Sequence, residues 1–481
     1  MFDREREWSA LDRFAGSGQS SATLGVVSGR RRQGKTFLLE ALCEAAGGLY
    51  IAAEQASEAE SLRSFAAAVG TFARSPLPIA FTDWRQAVDA LLAVGVDREI
   101  PVVIDEFPYL VKASPQLPSI IQAAFAPRRA EFTASRTRLL LCGSAMSFMG
   151  SLLSGTAPLR GRAGMELVVP TLDFRLAAEF WGITDPLLAL KVNAVVGGTP
   201  AYRRQFTADD APSSIEDFDP WMLRHPLNPA SPLFREARYL LSEETEIRDP
   251  GLYHSVLAAV TAGNATSGGI AGYVGRKASD IAHPLHVLED AGLLRKETDA
   301  FRKNRTVYRV NEPLIAFHQA VLRPNWTDWE LGRQPERLWS RAQSRFNPQV
   351  LGPRFEQICR EWAQTYADEE VFDGFADRVG SGTVNDPADR TTHEVDLAVF
   401  TTADDGSESL LAIGECKLSE TMGKAHLERL EHIRTLLSTR FDTSRTKLAL
   451  FSGSGFSDSL PQREDVVLIG LPDLYGFTRS A

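Results

Sequence analysis

The octad Gly29-Arg30-Arg31-Arg32-Gln33-Gly34-Lys35-Thr36 constrains this chain more than any other stretch of it. It satisfies the pattern G-x-x-x-x-G-K-[ST] in full. The apolar run Leu24–Ser28 precedes it, and the helical run Phe37-Leu38-Leu39-Glu40-Ala41-Leu42 follows. Strand, glycine-rich loop and helix in that order build an anion cradle. The glycines let the backbone turn tightly, the amides face inward, and the helix N-terminus adds the positive end of its dipole. Gly29, Arg30, Arg31, Arg32, Gln33 and Gly34 would wrap a polyphosphate. Lys35 would reach the β- and γ-phosphates, and Thr36 would ligate Mg²⁺.

The surroundings extend this reading. Strand-like runs at Gly48–Ala53, Ile100–Ile104 and Arg138–Cys142 alternate with helical periodicity at Thr36–Ala46, Ala56–Ala73 and Thr82–Val94. Alternation of this kind predicts an α/β domain with a mainly parallel sheet. The run Ile100-Pro101-Val102-Val103-Ile104-Asp105-Glu106 ends in two carboxylates. Asp105 is assigned to the metal and Glu106 to polarising the attacking water. Leu139-Leu140-Leu141-Cys142 ends in Gly143-Ser144, and Ser144 either senses the γ-phosphate or caps the strand. Arg160 and Arg162 either neutralise transition-state charge or lie in solvent.

Composition sets the limits. The chain has 481 residues, which suggests about three domains of ordinary size. Hydrophobic residues make up 44% and charged residues 24%, which excludes a disordered or collagen-like chain. Lys plus Arg is 52 against 62 for Asp plus Glu, giving a net charge of −10, so the chain is no diffuse polycation. Cys43, Cys142, Cys359 and Cys416 lack zinc spacing and read as reduced thiols. No apolar run suits a membrane, and Phe2–Trp8 is charged, so a cytoplasmic protein is expected.

Several segments together resemble the archaeal-type predicted ATPases, AAA+-like proteins related to the STAND nucleotide switches. They are Phe2–Trp8, the phosphate loop, Ile104–Leu110, Gly143–Met149, Pro158–Arg162 and Gly197-Gly198-Thr199-Pro200-Ala201-Tyr202. The resemblance implies ATP as the nucleotide, with Pro200 near the adenine in a helical lid. On this reading residues 1–170 form the P-loop ATPase domain and 171–235 a helical lid and linker, whose stretch 207–235 is rich in Asp, Pro and Ser.

Residues 236–325 follow the order of a winged helix. Helices are expected at Tyr253–Ala262, Ile270–Val274 and Ala278–Ala291, then strands at Gly292–Lys296 and Thr306–Val310. The turn between the strands holds Phe301-Arg302-Lys303-Asn304-Arg305. Arg302, Lys303 and Arg305 are candidates for DNA phosphates; the alternative is that the block packs against the ATPase or a partner protein.

A polar segment with Pro335 and Pro348 leads into a last α/β block, 345–481. A helix Phe355–Trp362, a strand His393–Phe400 and a strand Leu410–Lys417 carry Glu356, Asp396 and Glu415-Cys416-Lys417. Glu415 and Lys417 share one strand face. Asp396 and Glu415 would bind Mg²⁺, Lys417 would position the water, and Glu356 would add a third acid. The block resembles the PD-(D/E)xK nuclease superfamily, although Val395 stands where the name pattern has proline. An active nuclease and a non-cleaving fold both remain open here.

The expected architecture is thus α/β: a P-loop NTPase sheet with helical lid, a winged helix and a restriction-endonuclease-like domain. The expected function is an ATPase coupling nucleotide state to a DNA-handling C-terminal region. Alternatives are an ATP-gated Mg²⁺-dependent nuclease and a non-cleaving scaffold with a protein partner or homo-oligomer.

Overall fold

The computed structural model describes residues 2–242, 244, 247 and 249–476. Five strands form the first sheet: β1 (Thr23–Ser28), β2 (Leu49–Ala52), β3 (Ile100–Asp105), β4 (Thr137–Gly143) and β5 (Ala163–Val168). All pairings are parallel, in the order β2-β3-β4-β1-β5. β1, β3 and β4 are buried almost throughout because helices cover both sheet faces, so their sequences run apolar without alternation. β5 alternates in burial on the sheet edge, and the sequence reading assigned no strand there.

A helical block follows, and it absorbs the stretch 207–235 read above as a linker. Helices Phe218–Arg224 and Pro232–Ser242 lie in that region, and Trp221 is fully buried. Three helices, Pro250–Thr261, Ser267–Val274 and Ala278–Asp290, precede an antiparallel hairpin of β6 (Leu294–Asp299) and β7 (Arg302–Val310). Arg302, Lys303 and Arg305 therefore lie within a strand. The turn is Ala300-Phe301, which corrects the longer basic turn expected above.

The segment around Pro335 and Pro348 is also helical. Pro335–Phe346 passes through one wide turn, Asn347–Leu351, into Gly352–Thr365. Pro335 sits in the first turn, where its missing N–H costs no helix bond, and Pro348 and Pro353 fall where the pitch changes. Trp339, Ala342 and Phe346 are buried on the inner face.

The C-terminal sheet has the order β12-β11-β10-β9-β8: β8 (Arg378–Asp386), β9 (Thr391–Thr402), β10 (Glu408–Lys417), β11 (Lys447–Ser452) and β12 (Val466–Gly470). β8, β9 and β10 are antiparallel neighbours, and β10, β11 and β12 are parallel. One continuous apolar core runs from Leu172 to Tyr475, joining the middle helices to one face of this sheet. The other face packs on helix Lys424–Leu437. All four cysteines are buried and unbridged. No helix among the described residues is long and apolar enough to cross a membrane.

Candidate functional site

The phosphate loop connects β1 to helix Lys35–Ala46, between the C-terminal ends of the central strands. Gly34 caps the helix at φ +89° and Gly29 sits at φ +151°. A Cβ on Gly29 would lie 2.7 Å from the Val169 carbonyl oxygen, so a side chain there would drive the loop off β5. Lys35 is buried, and its Nζ donates to the carbonyls of Gly29 at 2.5 Å and Arg30 at 2.9 Å. Burial pulls its pKa below the usual lysine value.

Asp105 ends β3 opposite Thr36. Its Oδ2 accepts from the Thr36 hydroxyl at 2.8 Å and from the Tyr50 hydroxyl at 2.6 Å, and its Oδ1 accepts the Glu106 amide at 2.9 Å. Burial pushes this carboxyl up, but the donors outweigh it and hold it below the ordinary range. Glu106 adopts φ +53° and ψ 40°, a left-handed conformation costly for a non-glycine residue. Ser144, at the end of the neighbouring β4, has its hydroxyl 3.2 and 3.3 Å from the two Glu106 carboxylate oxygens. Five expected groups thus converge: Lys35, Thr36, Asp105, Glu106 and Ser144. Arg160 is exposed and donates to the Gly155 carbonyl at 2.6 Å, and Arg162 is exposed as well.

The loop arginines reach the helical block. Arg30 forms a buried ion pair with Glu312, just beyond β7. Arg32 pairs with Glu236 and stacks on the Phe206 ring at 4.8 Å, and Arg31 donates to the Tyr109 hydroxyl at 2.7 Å. Gln33 is buried, and its carbonyl accepts from Arg4 at 3.1 Å. Pro200 follows Gly197-Gly198-Thr199, where Gly198 lies against the Leu172 carbonyl so closely that a Cβ would overlap it. A crevice of about 310 Å³ between Arg30, Gln33, Val169 and Gly197-Gly198 opens beside the loop. Tyr50, Glu236 and Glu312 were missed in the sequence; no local pattern marks a phenolic partner on the neighbouring strand or a charged one two hundred or more residues away.

The second constellation lies on the C-terminal sheet. The Asp396 carboxylate accepts the Cys416 amide at 2.9 Å, which places it beside Glu415 across the antiparallel β9–β10 ladder. Lys417 Nζ lies 3.1 Å from Glu415, as period-two alternation requires, and Arg429 reaches the other Glu415 oxygen at 2.9 Å. Burial, reinforced by Glu415, raises the Asp396 carboxyl, and burial with Asp396 raises Glu356. A crevice of about 820 Å³ is lined by Glu356 and Asp396 and also by Arg305 and Arg309.

The basic hairpin faces this sheet rather than standing free. Arg302 bonds to Asn385 and Arg305 donates to Thr383 at 2.7 Å, both on edge strand β8. Asp299 accepts from the Thr383 hydroxyl at 2.9 Å, and the Ala300 amide donates to Ser381 at 2.9 Å. Phe301 at the tip is 2% exposed, packed near Phe400 and Phe441. Lys303 remains exposed. Arg276 and Lys277, ahead of helix Ala278–Asp290, are exposed as well.

No protein-family model matches the chain. It is 27% identical over 369 residues to an uncharacterized protein of Methanocaldococcus jannaschii, covering 75% of this chain and 76% of that one. Among solved structures it is similar to the Walker-type ATPase PABY2304 of Pyrococcus abyssi (TM-score 0.46, 18% identity, 66% of this chain, 96% of that chain). It is also similar to the ORC2 protein of Aeropyrum pernix, solved as ADPNP-ADP complexes (TM-score 0.40, 17% identity, 72% and 96%). A third is the Aeropyrum pernix ORC1 protein in complex with DNA (TM-score 0.31, 15% identity, 68% and 94%).

Proposed function

We propose that this chain is an ATP-binding and ATP-hydrolysing P-loop enzyme that couples nucleotide state to a DNA-handling C-terminal region. The observation that carries the ATPase reading is the meeting of Thr36 and Tyr50 on Asp105, beside Lys35 and Glu106. A hydroxyl and an ionised carboxylate 2.8 Å apart at a loop–helix junction suit Mg²⁺, and Thr36 and Asp105 would hold it. The ion would supply charge neutralisation at the β- and γ-phosphates. Lys35 would exchange two loop carbonyls for phosphate oxygens, a stronger charge-assisted contact. Glu106 would orient the attacking water, and Ser144 would hold Glu106. ATP as the nucleotide and Pro200 as its adenine neighbour rest on the sequence resemblance. The DNA-handling part rests on the helix order of 250–310, with Arg276 and Lys277 as the open phosphate contacts.

ATP turnover by purified protein, with Lys35→Ala as comparison, tests the reading. Turnover should fall to background in the variant; undiminished turnover would refute the assignment.

A second reading is a Mg²⁺-dependent DNA nuclease gated by ATP. It is favoured by the meeting of Asp396, Glu415 and Lys417 on neighbouring strands, with Asp396 lining a crevice that Arg305 and Arg309 also line. Arg429 and Lys417 hold Glu415 between two cations, so a metal would have to displace at least one. Cleavage gels with Mg²⁺ and Mn²⁺, with and without ATP, decide it against the Glu415→Ala/Lys417→Ala variant. Intact DNA in every wild-type lane would sink this second reading.

A further inference from the structure

The β8–β9 hairpin and helix Lys424–Leu437 bring together three metal-binding side chains that neither constellation above uses. Asp386 ends β8, His393 lies on β9 and His432 on the helix. Their ligand atoms all fall within 4.8 Å of one another, the one such triad among the described residues. Asp386 is 1% exposed. Its Oδ1 accepts the amides of Ala388 at 2.9 Å and Asp389 at 3.2 Å, so the hairpin turn fixes the carboxylate. Oδ2 is left facing both imidazoles, 2.7 Å from His432 Nε2 and 3.6 Å from His393 Nε2. The two rings stand at 81° with centroids 5.3 Å apart.

A purely structural role would need only one histidine. The His432 contact is an ordinary hydrogen bond, whereas His393 Nε2 is shielded from solvent and has no hydrogen-bond partner. A shielded ring nitrogen aimed past hydrogen-bonding range at a carboxylate is poorly explained by packing, since a nearby group that cannot pair costs desolvation. It is well explained as ligand spacing. Bonds of about 2.0–2.1 Å in a tetrahedron separate ligand atoms by about 3.3–3.4 Å. The 3.6 Å gap matches that separation closely, and a small rotation of His432 would bring its ring to the same spacing.

We propose that Asp386 Oδ2, His393 Nε2 and His432 Nε2 bind a divalent cation of the zinc class. Two imidazoles and one carboxylate suit Zn²⁺ or Co²⁺ and disfavour Mg²⁺ and Ca²⁺, which take oxygen ligands. The fourth position opens to water on the side of His432, whose side chain is 47% exposed. The ion would clamp the hairpin to the helix that presents Arg429 to Glu415, three residues before His432. The site is separate from the carboxylates of the nuclease reading and stands whether or not that reading does.

Tag-free, chelator-stripped protein is titrated with Zn²⁺ by calorimetry and with Co²⁺ by visible absorption. We expect one equivalent of Zn²⁺ bound at micromolar affinity or tighter, and Co²⁺ bands of four-coordinate intensity. Zn²⁺ should also raise the melting temperature by several degrees. His393→Gln and His432→Gln should each weaken binding by at least about a hundredfold. His432 is half-exposed on a helix surface, so its variant should keep the metal-free melting temperature. An Asp396→Asn/Glu415→Gln variant should retain the full equivalent. The proposal falls if wild-type protein binds no stoichiometric Zn²⁺, if His432→Gln binds it undiminished, or if the Asp396→Asn/Glu415→Gln variant alone loses it.

Discussion

Replacing Glu312 by leucine tests whether the phosphate loop is physically tied to the C-terminal half. The Glu312 side chain is 1% exposed and that of Arg30 is 10% exposed, so the pair is shielded from water. Arg30 Nε has no hydrogen-bond partner. Glu312→Leu would strand a buried guanidinium that cannot shed its charge, and loss of one partner from such a pair costs about 3–5 kcal/mol. That is at least about a hundredfold in the equilibrium between folded and unfolded chain. The same reasoning predicts rescue. Arg30→Met combined with Glu312→Leu removes both charges and fills similar volume, and should recover most of the loss, because buried pairs seldom outperform apolar replacements. The assay is urea unfolding followed by tryptophan fluorescence, read as a double-mutant cycle over wild type, each single variant and the double. A cost below about 1 kcal/mol for Glu312→Leu, the value of a surface pair, would refute the argument. So would a double variant no more stable than the Glu312→Leu single.

Ser144→Ala should lower kcat for ATP about tenfold with little change in KM, the effect of one lost hydrogen bond to a charged group that acts on water rather than on bound nucleotide. A matching loss confined to KM would move Ser144 onto the substrate. His318 is buried between His254 and Trp326 with neither ring nitrogen hydrogen-bonded, and burial drives its pKa down to about 3. Its folded pKa is depressed, so the unfolded chain takes up the proton first. Stability should therefore fall as pH drops from about 6.5 toward 3. In His318→Leu this part of the pH dependence should vanish in melts at pH 7 and pH 4.5, and an unchanged slope would show that other groups carry it.

The first sheet was legible because its strands are buried on both faces and the phosphate loop fixes where one of them ends. β1, β3 and β4 fall within a residue or so of the apolar runs that mark them. β5 and β8 escaped for the converse reason. Edge strands alternate in burial and carry glycine and polar residues, as in Gly164 and Glu166 of β5 and Gly380 and Ser381 of β8, so they read as loop. Asp105 and Glu106 stand where the apolar run of β3 stops, whereas Asp396 lies mid-strand in β9 and Glu415 two residues before the end of β10. The hairpin shows a signal that was present and outweighed. Its run of cations suggested phosphates, yet Phe301 at the tip was the better guide, since a large apolar side chain on a hairpin turn needs something to cover it.

That covered tip changes how nucleotide would communicate with the far sheet. β7 is nine continuous residues, about 30 Å of strand. Two residues beyond its C-terminal end, Glu312 grips Arg30 of the phosphate loop. At its N-terminal end Arg302 and Arg305 grip β8, and Phe301 is inserted under the sheet. β8 pairs along β9, the strand that carries Asp396. A hydrogen-bonded hairpin resists bending along its length, so a shift at Arg30 would be passed on as movement of the whole β6–β7 ribbon against β8 rather than absorbed by it. The crevice over Asp396 is walled by the same ribbon through Arg305 and Arg309. Access to the carboxylates would then depend on the ribbon, and the ribbon on the loop. Glu312→Leu should accordingly alter hydrogen exchange at the β8 amides, far from the substituted residue, whereas a change confined to residues around 312 would mean that the ribbon does not carry the signal.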